Sequence, residues 1–436
     1  MTYEQALEYI HSTLKFGIRP GLERIGTLLR LMGNPQEGMK FIHVAGTNGK
    51  GSTCCAIAGA LEAAGYKTGL YTSPYLEDFC ERMQINRRNI PHEELAEITS
   101  AVRAHADEGA RCGEQPTEFE LCTAIAFEFF KRNGCDAVVL EVGLGGRFDA
   151  TNIIGHPLVS VITAVSLDHT LVLGDTIEKI AFEKCGIIKQ GGITVSSPQQ
   201  EPEALAVIME CCARRGNTLV IPNAAGIRVL EEGITGSVID YKGRRLRIPL
   251  AGRHQHRNFV TAWEAVEVLR MRCGFMIPDE AVEKGFAAVK FPARLEKLAE
   301  KPLVLLDGAH NPAGAAVLAQ TVKRFLPEKK MIVIMGIFAD KDYEKTIAQI
   351  APLAERFFAV APPGPRALEA ENTARAASRW CKSTAVCSGL DEAFERALSA
   401  AGEEGAVLIC GSLSLAGAMR TIIRQKFYFS FDKIFM

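Results

Sequence analysis

The sequence predicts an α/β protein of two domains, each built around a parallel sheet. The chain has 436 residues, which exceeds what one hydrophobic core usually organises. Its composition, 47% apolar and 23% charged, is that of a globular protein. Short apolar runs alternate with amphipathic helical stretches, and this alternation is typical of a parallel sheet with helices on both faces.

We assign residues 1–296 to a first domain with a parallel central sheet. Its predicted strands are FIHVAG (41–46), AVVLEVG (137–143), VSVITAV (159–165) and ITVSS (193–197). Residues 221–250 resemble antiparallel strands joined by turns, and a helix is expected from about Asn258. The segment FPARLE (291–296) is the predicted hinge.

Residues 297–436 form a second, Rossmann-like α/β domain. Its predicted strands are PLVLLDG (302–308), MIVIMG (331–336), FFAVAP (357–362) and AVLICGS (406–412), with a helix to about Leu326. These runs end in Gly, Asp, Pro or Ser, at the strand ends where open α/β sheets bind ligands.

The charge balance, 50 Lys and Arg against 51 Asp and Glu, gives no positive field for nucleic acid or a membrane surface. Residues 1–10 are polar, and no segment approaches a membrane span. The 13 cysteines form no CxxC motif. We therefore expect a cytoplasmic protein with reduced thiols.

A loop that binds the triphosphate of ATP is predicted where the first strand meets a helix, in HVAGTNGKGST, so residues 1–296 are expected to form the ATP-binding domain. Glycines turn backbone amides toward phosphate oxygens, a lysine adds charge, and the helix N-terminus adds its dipole. The residues concerned are Gly46, Thr47, Asn48, Gly49, Lys50, Gly51 and Ser52. The loop departs from the strict P-loop pattern at Val44 and Gly51. The alternative is a glycine-rich turn without a ligand.

A magnesium site is predicted at the carboxyl edge of the same sheet. Glu141 ends an apolar strand, where a carboxylate needs a cation or hydrogen bonds. A hydroxyl such as Ser73 suits Mg²⁺, whereas His169, which follows Asp168, is a less usual ligand. Alone, His169 would be an ordinary loop histidine and Lys184 an ordinary solvated helix lysine.

Taken together, these motifs resemble the folylpolyglutamate synthase family, including the bifunctional dihydrofolate synthase/folylpolyglutamate synthases, within the Mur ligase superfamily. The resemblance runs through GTNGKGST (46–53), TSPYLEDFCERM (72–83), TEFE (117–120), EVGLGGRFDATN (141–152), LDHTLVLGDTIEKIAFEKCGIIK (167–189), HQHRN (254–258), DGAHNP (307–312), DKD (340–342) and GSLSL (411–415). It implies an ATP-dependent ligase that joins a folate carboxylate to L-glutamate through an acyl phosphate.

The resemblance also implies roles for individual residues. Residues 48–51 hold the triphosphate, and Ser73, Glu141 and His169 serve two Mg²⁺ ions. Lys184 matches a lysine that CO₂ carboxylates, giving a carbamylated, anionic ligand. Further nucleotide-binding positions are Asn258, Arg294 and Asp307. Residues on the folate side are Arg82, Thr117, Glu118, Phe119, Glu120, Phe148, Asp149 and Ala150.

In the second domain, His310 and Ser412 resemble residues that serve the incoming glutamate, and His310 and Asp307 join Lys50 and Lys184 as candidate catalytic residues. The alternative is that His310 and Ser412 only cap the helices that follow them. Three positions depart from the family pattern: Cys185 replaces Ala, Ala293 replaces Gly and Ser414 replaces Tyr.

Two other functions remain open on the sequence alone. A peptidoglycan-type Mur ligase would share the phosphate loop but act on a UDP-sugar substrate. A P-loop ATPase switch or another binding protein would use nucleotide to control a partner. The expected partners are small molecules (ATP, L-glutamate, and folate or dihydropteroate), and a monomer is expected. The sequence does not decide between dihydropteroate and tetrahydrofolate.

Overall fold

The computed structural model describes residues 1–17 and 19–428 and divides the chain into two compact units. The first unit comprises residues 1–228, 240–246 and 256–289. The second comprises residues 229–239, 247–255 and the described residues from 290 onward.

The first unit is built on an eight-stranded sheet. Its strands are β1 (Phe41–Ala45), β2 (Thr68–Tyr71), β3 (Met83–Ile85), β4 (Arg88–Asn89), β5 (Ala137–Glu141), β6 (Val159–Ile162), β7 (Ile193–Ser196) and β8 (Thr218–Val220). The strand order is β4-β3-β2-β5-β1-β6-β7-β8. β1 pairs in parallel with β5 and β6, which confirms the predicted parallel sheet. β3 and β4 form an antiparallel edge that the apolar pattern does not reveal.

Ten helices accompany this sheet in the described chain up to residue 289. They are α1 (Tyr3–Ser12), α2 (Glu23–Leu31), α3 (Lys50–Ala63), α4 (His92–Arg111), α5 (Glu118–Arg132), α6 (Thr170–Leu173), α7 (Ile177–Lys184), α8 (Pro202–Arg214), α9 (Arg253–Cys273) and α10 (Asp279–Ala287). α9 begins at Arg253, ahead of the expected Asn258. One core cluster packs α1, α2, α4 and α5 against the sheet, and another contains α7 and α8.

A three-stranded sheet occupies the region where the sequence predicts strands between residues 221 and 250. It consists of β9 (Arg228–Gly233), β10 (Gly236–Tyr241) and β11 (Arg244–Ile248), in the order β11-β10-β9.

The second unit has a six-stranded sheet with the order β12-β13-β17-β14-β15-β16. Its strands are β12 (Glu296–Glu300), β13 (Leu303–Leu306), β14 (Met331–Met335), β15 (Arg356–Ala359), β16 (Thr384–Val386) and β17 (Ala406–Cys410). Its helices are α11 (Pro312–Phe325), α12 (Tyr343–Ile350), α13 (Ala370–Ala377), α14 (Leu390–Ala401) and α15 (Leu413–Tyr428). β12 is antiparallel to β13, and the remaining pairs are parallel. The predicted α/β class is confirmed.

Across the described residues, no helix combines the length and the apolar character needed to cross a bilayer. All 13 cysteines are free thiols.

Candidate active site

The predicted phosphate loop connects β1, a central strand of the sheet, to α3. β1 is buried along its whole length, and most of α3 is buried as well. Gly49 is the N-terminal cap of α3 and has a φ of +88°, and no side chain caps the helix. The first amides of a helix have no acceptor within it. The loop therefore ends in backbone donors and a dipole suited to an anion.

Two glycines of this loop are required by close packing. A Cβ on Gly46, whose φ is +153°, would lie 1.8 Å from Thr163 Oγ1. A Cβ on Gly49 would lie 2.3 Å from Asn258 Oδ1. Both positions thus exclude larger residues, and Asn258 lies against the loop to which the sequence assigns it.

The loop is also held by the segment that follows β6, a contact that sequence reasoning misses. The amides of Thr47 and Asn48 donate to the carbonyl of Ala164 at 2.8 and 3.2 Å. Thr47 Oγ1 donates to the Ser166 carbonyl at 3.0 Å and accepts from the Ser166 amide at 3.1 Å. These bonds fix the loop before any ligand arrives, which lowers the entropy that binding must offset.

Lys50 and Glu141 meet at the carboxyl edge of the sheet. Glu141 is 4% exposed at the end of β5, and its Oε1 lies 4.0 Å from Lys50 Nζ. The Ser73 amide, in the loop after β2, donates to Glu141 Oε2 at 3.2 Å. The structure therefore brings together Ser73, Glu141 and Lys50, because β2, β5 and β1 are neighbours in the sheet.

His169 lies in the loop after β6 and is the cap residue of α6, with a φ of +49°. Its side chain is exposed, and its Nε2 lies 3.9 Å from Asp168 Oδ1. A positive φ is uncommon in a residue other than glycine, and such conformations gather at functional loops. The metal role of His169 stays a prediction.

Lys184 is not the solvated helix lysine that the alternative interpretation describes. It ends α7, is 3% exposed, and donates from Nζ to the Gly46 carbonyl of the phosphate loop at 3.0 Å. Burial, aided by the charge of Lys50, lowers the pKa of Lys184 to about 7, although Asp168 and Asp149 oppose this shift. A substantial fraction of this amine is therefore neutral near pH 7.

Asp149 organises the loop between β5 and β6 from inside. Its carboxylate accepts from the Leu144 amide at 2.8 Å, the Thr151 amide at 3.0 Å and the Thr151 hydroxyl at 2.5 Å. Burial raises the pKa of Asp149, although these hydrogen bonds oppose the rise. Both carboxylate oxygens thus accept hydrogen bonds from the protein, and a substrate that contacts Asp149 would have to bind to oxygens that already have these partners.

His43, a residue of β1, extends this buried polar chain, and sequence reasoning does not single it out. Its Nε2 lies 2.8 Å from Thr151 Oγ1. Because the Thr151 proton goes to Asp149, we assign the imidazole proton to Nε2. Burial, with a contribution from Lys189, lowers the pKa of His43 to about 3, so the ring is neutral. In the sequence, the only sign of this role is that a polar residue interrupts the apolar run of β1. Because alternate residues of a strand face opposite sides of the sheet, such a pattern does not show which residue the histidine contacts.

On the predicted folate side, Arg82 is buried between aromatic rings. Its guanidinium carbon lies 5.2 Å from the Tyr75 ring centre and 5.3 Å from that of Phe79. Arg82 Nη2 is 3.7 Å from Glu118 Oε1, and His11 Nδ1 is 3.6 Å from the same oxygen. Burial alone would raise the pKa of Glu118, but His11 and Arg82 outweigh it and the pKa is lowered.

Thr117 and Glu120 form a capping box at the start of α5. The Thr117 hydroxyl accepts from the Glu120 amide, and Glu120 Oε2 accepts from the Thr117 amide at 2.7 Å. Glu120 Oε1 also lies 3.0 Å from Arg24 Nη2. This cap and ion pair give both residues a structural role that does not depend on substrate.

The remaining residues assigned to the folate side differ in exposure. The Phe119 ring lies beside Gly143, where an added Cβ would come within 2.5 Å of it. Ala150 is buried, whereas Phe148 is 47% exposed and lies under the Arg147 guanidinium. Only Phe148 among these three presents a large apolar surface.

In the second unit, Asp307 follows β13 and accepts hydrogen bonds from nearby backbone amides. Its carboxylate accepts from the Leu295 amide at 2.7 Å and the Ala309 amide at 2.8 Å. Burial raises the pKa of Asp307, and the charge of Arg294 opposes the rise. Arg294 lies over the Phe291 ring at 4.8 Å and donates to the Ala293 carbonyl. Arg294 and Asp307 are thus neighbours.

The structure distinguishes His310 from Ser412. The cap of α11 is Asn311, whose side chain accepts from the Gly314 amide at 2.8 Å, so the proposal that His310 caps this helix is wrong. His310 Nδ1 lies 2.9 Å from the Gly308 carbonyl. Ser412 is 1% exposed and caps α15 by accepting from the Leu415 amide at 3.1 Å. The capping alternative therefore describes Ser412.

Comparison with known proteins assigns the chain to a family. Residues 44–266 match the Mur ligase middle domain, and residues 293–413 match the Mur ligase glutamate ligase domain. The fold and the site thus define a Mur ligase, a class of ATP-dependent ligases.

Individual relatives show to which family of Mur ligases the chain belongs. The chain is 37% identical over 427 residues to a dihydrofolate synthase/folylpolyglutamate synthase of Bacillus subtilis, covering 96% of this chain and 98% of the relative. It is 37% identical over 439 residues to a folylpolyglutamate synthase of Lacticaseibacillus casei, with the same coverage. A solved structure of Mycobacterium tuberculosis folylpolyglutamate synthase complexed with ADP and AMPPCP superposes with a TM-score of 0.88, at 32% identity, over 97% of this chain and 99% of that one. The chain belongs to the dihydrofolate synthase/folylpolyglutamate synthase family.

Proposed function

We propose that this ligase activates a folate-type carboxylate as an acyl phosphate and joins it to the amino group of L-glutamate. The observation that carries the proposal is the convergence of Lys50, Glu141 and Lys184 at the phosphate loop of a chain related over nearly its full length to folylpolyglutamate synthases. The full-length relatives are named as folate ligases, which favours this function over a UDP-sugar ligase, and the match to a glutamate ligase domain favours it over an ATPase switch.

The chemistry requires positioning and charge neutralisation rather than a protein nucleophile. A carboxylate oxygen attacks the γ-phosphorus of ATP and ADP leaves, giving an acyl phosphate. The glutamate amine then attacks the acyl carbon, phosphate leaves, and the amine loses a proton. Lys50 and the amides of residues 49–52, at the start of α3, face the phosphate oxygens as their charge changes, and Asn258 lies beside the loop.

The donor set at Glu141 fits magnesium. A buried carboxylate at a sheet edge, with Ser73 beside it, supplies the oxygen ligands that Mg²⁺ prefers. We assign Ser73, Glu141, His169 and carbamylated Lys184 to two Mg²⁺ ions. When bound, these ions would neutralise charge on the β- and γ-phosphate oxygens.

Lys184 suits carbamylation because a neutral amine is the form that reacts with CO₂. Its burial and its lowered pKa provide that form near neutral pH. The neutral amine forms an N–C bond with CO₂ and releases one proton, so it becomes an anionic carbamate beside the phosphate loop. An anionic group at this position would offset the charge of Lys50 and of the metal ions.

We assign the folate side to Arg82, Glu118 and Phe148, with Thr117, Phe119, Glu120, Asp149 and Ala150 shaping it. In the second unit, His310 serves the incoming glutamate, and Arg294 and Asp307 serve the nucleotide. Ser412 contributes through its cap. A monomer, the cytoplasmic location and the division at residues 296 and 297 stay predictions.

The comparisons leave the acceptor open, since relatives of equal identity carry the bifunctional and the single name. We propose that both dihydropteroate and tetrahydrofolate are accepted. The test supplies the purified protein with ATP, Mg²⁺ and glutamate, together with either acceptor, and reads product mass. We expect each acceptor to gain glutamate, and expect Lys50→Ala, at saturating ATP, to give neither product. Failure with both acceptors, or full activity of a folded Lys50→Ala protein, would refute the proposal.

A further inference from the structure

A group of metal-binding side chains lies outside the site described above. Asp78, Cys80 and His92 each offer one ligand atom, and these atoms all lie within 4.8 Å of one another. Across residues 1–17 and 19–428, this is the one such group of three or more His, Cys, Asp or Glu side chains. The ligands come from the segment before β3 and from the first turn of α4.

The side chains are held in place by neighbouring contacts. Asp78 Oδ1 accepts from the Cys80 amide at 2.9 Å and from the Tyr3 hydroxyl at 3.1 Å. The Tyr3 ring stacks on the His92 ring, with 3.8 Å between the ring centres and an angle of 3° between the planes. α1 thus orients the imidazole, while the cap of the short helix at residues 79–82 orients the carboxylate.

The distances are compatible with a tetrahedral ion after a small movement. His92 Nε2 and Asp78 Oδ2 are 3.2 Å apart. Bond lengths of about 2.0–2.3 Å to zinc place neighbouring tetrahedral ligands roughly 3.3–3.7 Å apart. The imidazole and carboxylate therefore already lie close to this spacing, and the Cys80 sulfur lies within 4.8 Å of both.

The donor chemistry selects the metal. A sulfur, an imidazole nitrogen and a carboxylate oxygen favour zinc over magnesium or calcium, which take oxygen ligands. The Cys80 residue is 1% exposed, whereas the side chains of His92 and Asp78 are 50% and 40% exposed. The site therefore has a buried thiol at its base and an open side through which water can complete the coordination.

We propose that Asp78, Cys80 and His92 bind one Zn²⁺ ion, with water as the fourth ligand. Binding releases the Cys80 thiol proton to solvent and forms a thiolate–zinc bond, with no change in oxidation state. The ion would tie residues 78–80 to α4, in the same segment that carries Arg82. Asp78 and His92 can form a hydrogen bond without a metal, so a bond between the Cys80 thiolate and the metal is the feature that distinguishes a metal site from a simple polar pair.

The test uses metal-free, reduced full-length protein and Co²⁺ as a spectroscopic probe, with excess Mg²⁺ present to occupy the magnesium sites. We expect one equivalent of Co²⁺ to give a thiolate-to-cobalt charge-transfer band that Zn²⁺ abolishes. Cys80→Ser should lose this band. His92→Gln, which changes an exposed side chain, should weaken Co²⁺ binding by about 10-fold or more.

Cys112→Ser is the matched control, because Cys112 is exposed and follows the other end of α4. It should keep both the band and the affinity. Zn²⁺ should also raise the melting temperature of the parent protein more than that of His92→Gln. The proposal is overturned if the parent shows no thiolate band, if Cys80→Ser retains it, or if His92→Gln binds Co²⁺ as tightly as the parent.

Discussion

Lys184 shows most directly how burial changes the chemistry of one residue. An exposed lysine would stay protonated near pH 7, whereas this one is enclosed between α7 and the phosphate loop, with a pKa of about 7. The same enclosure places its nitrogen 3.0 Å from the Gly46 carbonyl. The residue therefore combines a largely neutral amine, which the proposed carbamylation requires, with a position at the predicted phosphate loop.

We expect Lys184→Met, which keeps volume but removes the amine, to lower turnover by about 100-fold or more. Added short carboxylates should restore part of it in Lys184→Ala, where they can occupy the vacated space. Lys179→Ala is the control, because Lys179 lies on the same helix with a 62% exposed side chain. Wild-type turnover in a folded Lys184→Met protein would contradict the proposed role.

His43 predicts a specific sensitivity to acid. Its pKa is about 3 in the folded protein against an ordinary value of 6.5. A depressed pKa contributes stability that is complete above pH 6.5 and is lost as pH falls toward 3, by an amount on the order of a few kcal/mol. Urea unfolding from pH 7 to pH 4 should therefore show a shallower loss for His43→Gln than for the parent. Parallel pH profiles would show that His43 is not the sensitive group.

At the scale of elements, the helix caps show that Ser412 has a structural role, whereas His310 does not cap α11 and is the proposed contact for glutamate. Ser412 caps α15, so Ser412→Ala should lower the free energy of unfolding by about 1 kcal/mol.

His310 does not cap α11, so His310→Ala should raise the KM for glutamate more than that for ATP at an unchanged melting temperature. Asn311→Ala is the matched control for loss of the α11 cap. A lowered melting temperature with unaltered glutamate kinetics in His310→Ala would contradict a role in binding glutamate.

The segment before β12 carries backbone strain at Ala293, where the family pattern has Gly. Ala293 is buried and has a φ of +54°. The left-handed conformation costs an L-residue roughly 1–2 kcal/mol, which glycine avoids. We therefore expect Ala293→Gly to leave the free energy of unfolding within about 0.5 kcal/mol of the parent or to raise it. Ala359→Gly, at a buried position in β15, should lower it by about 1.5 kcal/mol. Equal losses in both variants would exclude relief of strain.

At the scale of the whole molecule, a ligase and an ATPase switch differ in how ATP use is coupled. We expect sustained ADP release only when folate and glutamate are both present, because the acyl phosphate stays in place until an amine attacks it. With folate alone, release should stop after about one ADP per enzyme. Sustained release with neither substrate would favour the switch.

The sequence by itself determined the α/β class, the main buried strands and the glycine-rich turn between β1 and α3, on which the predicted phosphate loop depends. These features depend on local patterns: continuous apolar runs, and glycines where a strand meets a helix. It also placed Glu141 correctly at a strand end, because a carboxylate that closes an apolar run is costly to bury unless a cation or a hydrogen-bond donor faces it. The resemblance to a known family supplied the predicted roles of residues such as Lys184 and His310, which no local pattern gives and which stay predictions.

Only the tertiary structure decided which side chains meet. The Ser166–Thr47 bond joins residues 119 positions apart, the His43–Thr151 contact joins residues 108 positions apart, and the Asp78–His92 pair joins a loop to the following helix. It also decided that Lys184 is buried and that Asn311, rather than His310, caps α11. Strand order and helix packing fix these contacts, and burial then sets the pKa of each group. The order of residues along the chain indicates local preference for a helix, a strand or a turn. It does not show which residue lies on the neighbouring strand or how far a side chain is removed from water.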